Sequence, residues 1–453
     1  MKKQIPLVTF LCILSFALLG CNNFSYGLDP GEPVTITMWH NYGGQMKDTM
    51  DELITEFNNT VGAESGITIN VTSIQSSKDQ NDKLAMIASG DPGAPEMPDI
   101  ATAYPSMALT LSEADLLASL DEHFTKQELS SYIEQFVEEG RLSDGKLYVF
   151  PVSKSTEALF VNKTLFDRFS EATGTTLDSL STFEGIARAA EKYYEWTDSI
   201  TPSITNDGKT FFTADSWFNI AQAGTAQLGS EFVEMDSLNM DSSSYKRIWD
   251  FSVLPALNGA YAVMDGYSSE LSKTGEIICS IGSTAGILFY GDTIIYPDNT
   301  KESVEFDVLP YPVFEGGEKV ALQRGAGMVV AKSTAQKEYA ASVFLKWFTS
   351  PEQNMRFVSS TGYLPVTKEA FEQKMSEEIE SIENPSVKKL LETATFMYEN
   401  YSFIIAPNAE NFSSLSGDYE SGIKQVMRDG RQKVLDGGDV GFIGNELYDT
   451  FLH

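Results

Sequence analysis

From Val34 to Thr102 the apolar residues switch repeatedly between a spacing of two and a spacing of three to four, and this alternation restricts the fold more than any other feature. Val34, Ile36 and Met38 alternate as in a half-buried strand, and Asn41-Tyr42-Gly43-Gly44 turns the chain. Met46, Met50, Leu53, Ile54 and Phe57 then mark one face of a helix. Ile67, Ile69 and Val71 make a second strand, and Leu84, Ile87 and Ala88 a second helix that Gly90 stops. Asp99-Ile100-Ala101-Thr102 is a third strand. Strand, helix, strand, helix, strand is the order of a parallel α/β sheet.

The pattern changes near Leu147. Leu147-Tyr148-Val149-Phe150-Pro151-Val152 reads as a strand, yet no helix separates it from the next apolar run, Ala158 to Asn162. Pro151 and the polar Ser153-Lys154-Ser155-Thr156 between them mark a crossing from one sheet to another rather than a hairpin. Residues 165–275 read as largely helical, with Ile186, Ala189, Ala190 and Tyr193 at helical spacing, and Ile277 to Gly282 reads as a return crossing. Ala340, Ala341, Phe344, Leu345 and Phe348 form an amphipathic helix that Ser350-Pro351 ends.

The N-terminus carries its own signal. Lys2 and Lys3 precede an apolar run from Leu7 to Leu19, the layout of a secretory signal peptide and too short for the roughly 18–20 residues of a membrane span. Cys21 directly after Leu18-Leu19-Gly20 resembles a bacterial lipobox, in which the thiol is acylated. The expectation is removal of residues 1–20, a lipidated tether over 21–32, and an extracytoplasmic protein held on the cell membrane, on the periplasmic side in a Gram-negative cell. The remaining 433 residues exceed the ~250–300 at which single cores stop growing, so two domains are expected. The crossings divide them into residues 33–154 with 281–348, and 155–280 with 349–453, the second richer in helix.

Charge and cysteines exclude several classes. The formal charge is −32, which repels nucleic acid and anionic headgroups. With Cys12 in the signal and Cys21 acylated, Cys279 stands alone and no intramolecular disulfide can form. Gly140-Arg-Leu-Ser-Asp-Gly145-Lys146 lacks the Ser or Thr of a phosphate-binding loop at Leu147, and it precedes a strand instead of leaving one. His40, His123 and His453 are the only histidines, and none sits at metal-ligand spacing from another, so neither metal nor cofactor is expected. Gly282-Ser-Thr-Ala-Gly286 misplaces its serine for a nucleophile elbow, and Tyr193-Tyr194 reads as core. A carboxylate pair for glycoside hydrolysis stays open, since 64 acidic residues offer many pairs.

Four blocks together resemble the family 1 extracellular solute-binding proteins of bacterial ABC importers. They are Ile36-Thr-Met-Trp39-His40-Asn-Tyr42-Gly-Gly44, Gly145-Lys-Leu-Tyr148-Val-Phe-Pro151-Val-Ser-Lys-Ser155-Thr156, Gly325-Ala-Gly327 with Ala340 to Phe348 and Ser350-Pro351-Glu352, and Thr361-Gly362-Tyr363-Leu364-Pro365-Val366. The resemblance implies a two-lobed α/β fold of the periplasmic-binding type II, maltose-binding-like class, with ligand held in the interlobe cleft and closure by hinge bending. The second and fourth blocks are most similar to the glycerol-3-phosphate and sugar-binding branch.

Carried over from that branch, the ligand-binding positions are Tyr42, Tyr104, Ser155, Trp217, Ser283, Gly325 and Tyr363, and Trp39 belongs to the same strand-end loops. Two departures stand out. The late-loop arginine of the glycerol-phosphate binders is missing near Leu415-Ser416-Gly417, whereas Arg324 and Lys154 bring positive charge where it is unusual. These two could replace the missing charge and favour an anionic ligand; otherwise the ligand is a neutral sugar.

The function this implies is capture of a carbohydrate or glycerol-3-phosphate-like polyol by a monomeric, non-catalytic lipoprotein. It delivers the solute to ABC permease subunits served by a separate ATPase. The alternatives are a lipid-anchored glycosidase and a sensory receptor of the same fold.

Overall fold

The computed structural model describes residues 26–234, 237–407 and 411–452. The signal segment 1–20, Cys21 and His453 lie outside the described residues.

The first sheet runs in the order Gly327–Val330, Ile100–Ala103, Val34–His40, Ile67–Ser73. Val34–His40 pairs in parallel with Ile67–Ser73, from Val34 opposite Ile67 to His40 opposite Ser73, and in parallel with Ile100–Ala103; Gly327–Val330 closes the edge antiparallel. The connecting helix Gly44–Asn59 buries Met46, Met50, Leu53, Ile54 and Phe57, the set its apolar spacing marks. The next, Ser77–Ser89, starts where the Ser76 hydroxyl accepts the Asp79 N–H at 3.1 Å and ends at Gly90 with φ 66°.

A second sheet runs in the order Phe306–Leu309, Glu157–Asn162, Cys279–Ser283, Phe212–Ala214. Its strand Glu157–Asn162 is buried along its whole length, which explains a run without alternation. Around it the helices Phe183–Ile200, Trp217–Gln227, Ser243–Asn258 and Phe412–Leu435 build a core dense in rings, among them Phe183, Phe212, Trp217, Tyr245 and Trp249. Cys279 is buried there as a free thiol.

The lobes join where chain segments lie side by side. Phe150 bridges Met328, Ser155 bridges Arg324 and Lys154 bridges Leu364. Leu147 to Val152, expected as a strand, makes only isolated bridges, because Pro151 has no N–H to continue a ladder.

The division of the chain also differs from expectation. Residues 281–348 do not stay in the first lobe: Cys279–Ser283 and Phe306–Leu309 flank Glu157–Asn162 in the second sheet, and the return runs through Gln323 to Gly325. Nor does the second lobe take everything after 349. The helix Pro351–Ser359 turns Phe357 onto Tyr42 (ring centroids 5.2 Å) and Phe348 (5.3 Å), completing the first core. An apolar helix face goes where its partners lie, and chain order does not reveal that.

Residues 26–28, expected to belong to the tether, are docked. Tyr26 stacks on Tyr339 at 4.5 Å, Gln336 Nε2 donates to the Gly27 carbonyl at 2.8 Å, and Leu28 packs against the first core. Among the described residues no helix is long and apolar enough to cross a membrane.

Candidate functional site

A cleft of about 410 Å³ opens between the lobes. From the first lobe come Asn81, Glu139, and Tyr104-Pro105-Ser106 at the carboxyl end of Ile100–Ala103, the end at which open α/β sheets receive ligands. Pro105 opens the helix Pro105–Glu113, its fixed φ suiting the first helical position, and the Tyr104 ring before it stays 37% exposed. From the second lobe come Ser216, Phe218 and Asn219 at the start of Trp217–Gln227, and Phe412, Ser413, Ser416, Gly417 and Glu420 from the first turns of Phe412–Leu435. The crossing adds Gln323 and Arg324, with Ala406 and Pro407 at the rim. Three helix N-termini therefore face this space, each bringing N–H groups and positive dipole ends.

Carboxylates answer that positive field, each with a partner. Glu420 Oε2 accepts the Phe218 N–H at 2.9 Å and the Ser216 hydroxyl at 3.3 Å, and Lys424 Nζ lies 3.0 Å from Oε1. Glu139 is buried against the Lys154 ammonium and accepts from Gln323 Nε2 at 2.6 Å. Lys154 Nζ also donates to the Gly325 carbonyl at 3.2 Å. Glu157, on the central strand of the second sheet, accepts from the Asn219 amide and lies 4.0 Å from the Arg324 guanidinium. Its Oε2 has no hydrogen-bond partner among the described residues. Burial raises the pKa of Glu157, and Arg324 opposes that shift. Burial likewise raises Asp215, whose Oδ1 accepts the Ser268 N–H at 2.8 Å.

Of the residues singled out from sequence, Tyr104 and Arg324 line the cleft. Ser155 and Gly325 sit in the crossing beside it, and Ser283 pairs with Glu157 at the end of its strand. Tyr363 lies one layer down, its ring 6.3 Å from Tyr42 and 6.0 Å from Phe357. Burial, reinforced by Tyr42 and Tyr104, drives its phenol well above the ordinary range.

The others belong to the cores. Tyr42 is 7% exposed among His40, Phe357 and Tyr363, and burial pushes its pKa up to about 12. Trp39 is half-buried against the outer face of the first sheet. Trp217 packs inward on Phe212 and Tyr261. Its neighbour Phe218 is also buried, packed on Phe232, Phe412 and Tyr419, and only its backbone N–H is turned to Glu420 at the cleft wall. Lys154 is buried and neutralised by Glu139, so it offers no charge to a ligand.

Asn81, Glu139, Phe218, Asn219, Gln323, Phe412 and Glu420 escaped sequence reasoning. For Ser216 through Asn219 a signal existed: Ser216 followed by an apolar run is a helix N-cap, confirmed by its hydroxyl accepting the Asn219 N–H at 3.2 Å. For Glu420, one acid among many, there was none.

The sequence family described as bacterial extracellular solute-binding protein matches residues 52–387. No curated protein matches the chain. Among solved structures, similar ones include the cyclic α-maltosyl-1,6-maltose binding protein of Arthrobacter globiformis, with TM-score 0.66, 19% identity, and 92% of this chain and 98% of that one covered. An ABC substrate-binding protein of Listeria monocytogenes in complex with cycloalternan gives TM-score 0.68 and 17% identity over 93% and 98%. UgpB of Mycobacterium tuberculosis in complex with glycerophosphocholine gives TM-score 0.66 and 16% identity over 92% and 98%. These likenesses show the two-lobed fold.

Proposed function

This chain belongs to the bacterial extracellular solute-binding proteins, and from that membership we propose that it captures an uncharged carbohydrate or polyol between its lobes for an ABC importer. The carrying observation is the exposed Tyr104 ring standing over a cleft whose polar groups are amides, hydroxyls, carboxylates with partners of their own, and one guanidinium, Arg324, that faces Glu157. An aromatic face stacks on the C–H surface of a sugar, while Asn81, Asn219 and Gln323 exchange hydrogen bonds with its hydroxyls. The cleft volume of about 410 Å³ falls in the ~300–1,000 Å³ range of small-ligand sites.

An uncharged solute is favoured over a phosphorylated one. Lys154 is committed to Glu139, Arg324 faces Glu157, and the stretch Leu415-Ser416-Gly417 brings serine and glycine to the cleft without a cation. A sugar-binding protein and a cycloalternan complex among the similar structures support this reading, and the glycerophosphocholine complex marks the contrast to be tested.

Loaded and closed, the protein passes its solute unchanged to permease subunits powered by a separate ATPase. It acts as a monomer outside the cytoplasm, with Cys21 as its acyl anchor. Thermal unfolding against a panel of oligosaccharides, polyols and glycerol phosphates tests this. A true ligand at a hundredfold excess over its Kd stabilises by about 2.7 kcal/mol and is recovered intact. Cleavage products in the recovered ligand would overturn the transport reading in favour of hydrolysis.

A further inference from the structure

Two features of the cleft are suited to an anion, and the chain occupies both with its own carboxylates. The first is the N-terminus of Trp217–Gln227, where exposed N–H groups and the helix dipole would hold a phosphate. Here the Phe218 N–H and the Ser216 hydroxyl are given to Glu420 Oε2, at 2.9 and 3.3 Å. Lys424, one turn further along the helix Phe412–Leu435, makes an ion pair with the other oxygen at 3.0 Å, though that oxygen accepts no hydrogen bond among the described residues. The second is Arg324, the one basic residue lining the cleft among those described. Its guanidinium lies 4.0 Å from Oε1 of Glu157, a buried carboxylate whose Oε2 has no hydrogen-bond partner among the described residues.

We infer that Glu420 closes this cleft to phosphorylated and other anionic solutes, as an intramolecular carboxylate seated where a phosphate would lodge. This rests on the reading of the protein as a receptor for uncharged solutes and names the residue that enforces it. An anion approaching Arg324 finds the guanidinium already facing Glu157, and it cannot take the Phe218 N–H and the Ser216 hydroxyl without displacing Glu420 from them. A hydroxyl suffers no such conflict, because it donates to a carboxylate oxygen and accepts from the guanidinium at once. Ser416 and Gly417, one turn before Glu420, line the same wall without charge, so the sign there is set by Glu420.

Calorimetric titration of the whole chain and its Glu420→Gln variant with sn-glycerol 3-phosphate tests the inference. Glutamine keeps an oxygen for the Phe218 N–H and removes the charge. Glu420→Gln should bind the phosphate at least tenfold more tightly than the unaltered protein. That gain should shrink as salt is raised and vanish when Arg324→Gln is added. Glu420→Ala, which leaves the helix end to water, should show the same gain and serves if the glutamine variant does not fold.

The inference is overturned if the unaltered protein binds sn-glycerol 3-phosphate as tightly as the variants, or if a folded variant gains less than twofold. A parallel panel of neutral oligosaccharides separates the two readings. A phosphate gain without any sugar binding to the unaltered protein sinks the neutral-solute reading and leaves the role of Glu420 standing. Sugar binding without a phosphate gain does the reverse.

Discussion

Ser155 and Arg324 hold each other at the lobe boundary by two backbone hydrogen bonds, 2.9 Å from the Ser155 N–H to the Arg324 carbonyl and 2.7 Å in return. Lys154 and Leu364 make the same exchange at 3.0 and 2.6 Å, so three chain segments are knitted into one junction. Gly325 lets them approach: its φ is +102°, and a Cβ there would stand 2.9 Å from the Ser153 carbonyl oxygen. Gly325→Ala is therefore expected to destabilise by about 1–3 kcal/mol through backbone strain. Urea unfolding should show a lower midpoint at an unchanged slope; an unchanged midpoint would mean the junction yields freely.

The buried pair of Lys154 and Glu139 sits just behind that junction. Removing one partner leaves an uncompensated charge, so Lys154→Met should cost about 3–5 kcal/mol. Glu139→Gln combined with Lys154→Met removes both charges and should recover much of that loss. Guanidinium unfolding of the single and double variants measures the difference. A double variant no more stable than Lys154→Met would argue against a charge-driven effect.

His40 governs one part of the pH response. The ring is buried, Nδ1 accepts the Tyr42 N–H at 3.2 Å, and desolvation lowers its pKa to about 4, with Asp51 opposing and Lys47 assisting. The unfolded chain takes up a proton near pH 6.5 while the folded chain does not. Stability from this residue is thus full above pH 6.5 and lost as pH falls toward 4, about 3 kcal/mol in all. Glu157 and Asp215, raised by burial, act in the opposite direction as pH falls. Subtracting the stability profile of a His40→Asn variant cancels their contribution. The difference should slope only between those two pH values.

Tyr104 and Trp217 should separate binding from folding. Tyr104→Ala removes an exposed ring from the cleft wall, so affinity for the sugar should fall about two- to twelvefold, the ~0.5–1.5 kcal/mol of one stacking contact, with little change in the ligand-free Tm. Trp217→Ala opens a hole among Phe212 and Tyr261 and should cost about 3–5 kcal/mol of stability. Equal losses of Tm in the two variants would contradict the placement of Tyr104 on the cleft wall.

What the sequence disclosed follows from the range of the forces involved. The first sheet was legible because its strands and helices carry periodic apolar faces, and Gly44–Asn59 buries the residues that spacing selects. The second sheet was harder to read, since Glu157–Asn162 is buried on both faces and carries no alternation. Lobe boundaries escaped because Pro351–Ser359 and Phe306–Leu309 choose partners by complementarity over long separations. At the cleft, Tyr104 was marked by its place after a strand, but that both rings of Trp217-Phe218 turn into the second core while Asn219 beside them lines the cleft depends on helix phase. Glu420 gains its meaning only from a helix start 202 residues away in the chain.

The docking of Tyr26 on Tyr339 and of Gly27 on Gln336 carries a mechanical consequence. Both partners belong to Ala335–Phe348, a helix of the first lobe, so Tyr26 and Gly27 are fastened to that lobe. A pull applied at Tyr26 would therefore load the first lobe and reach the second only through the junction segments. On the proposed Cys21 tether, closing the cleft would swing the second lobe while the first stays moored, and solute capture would not work against tension in the tether.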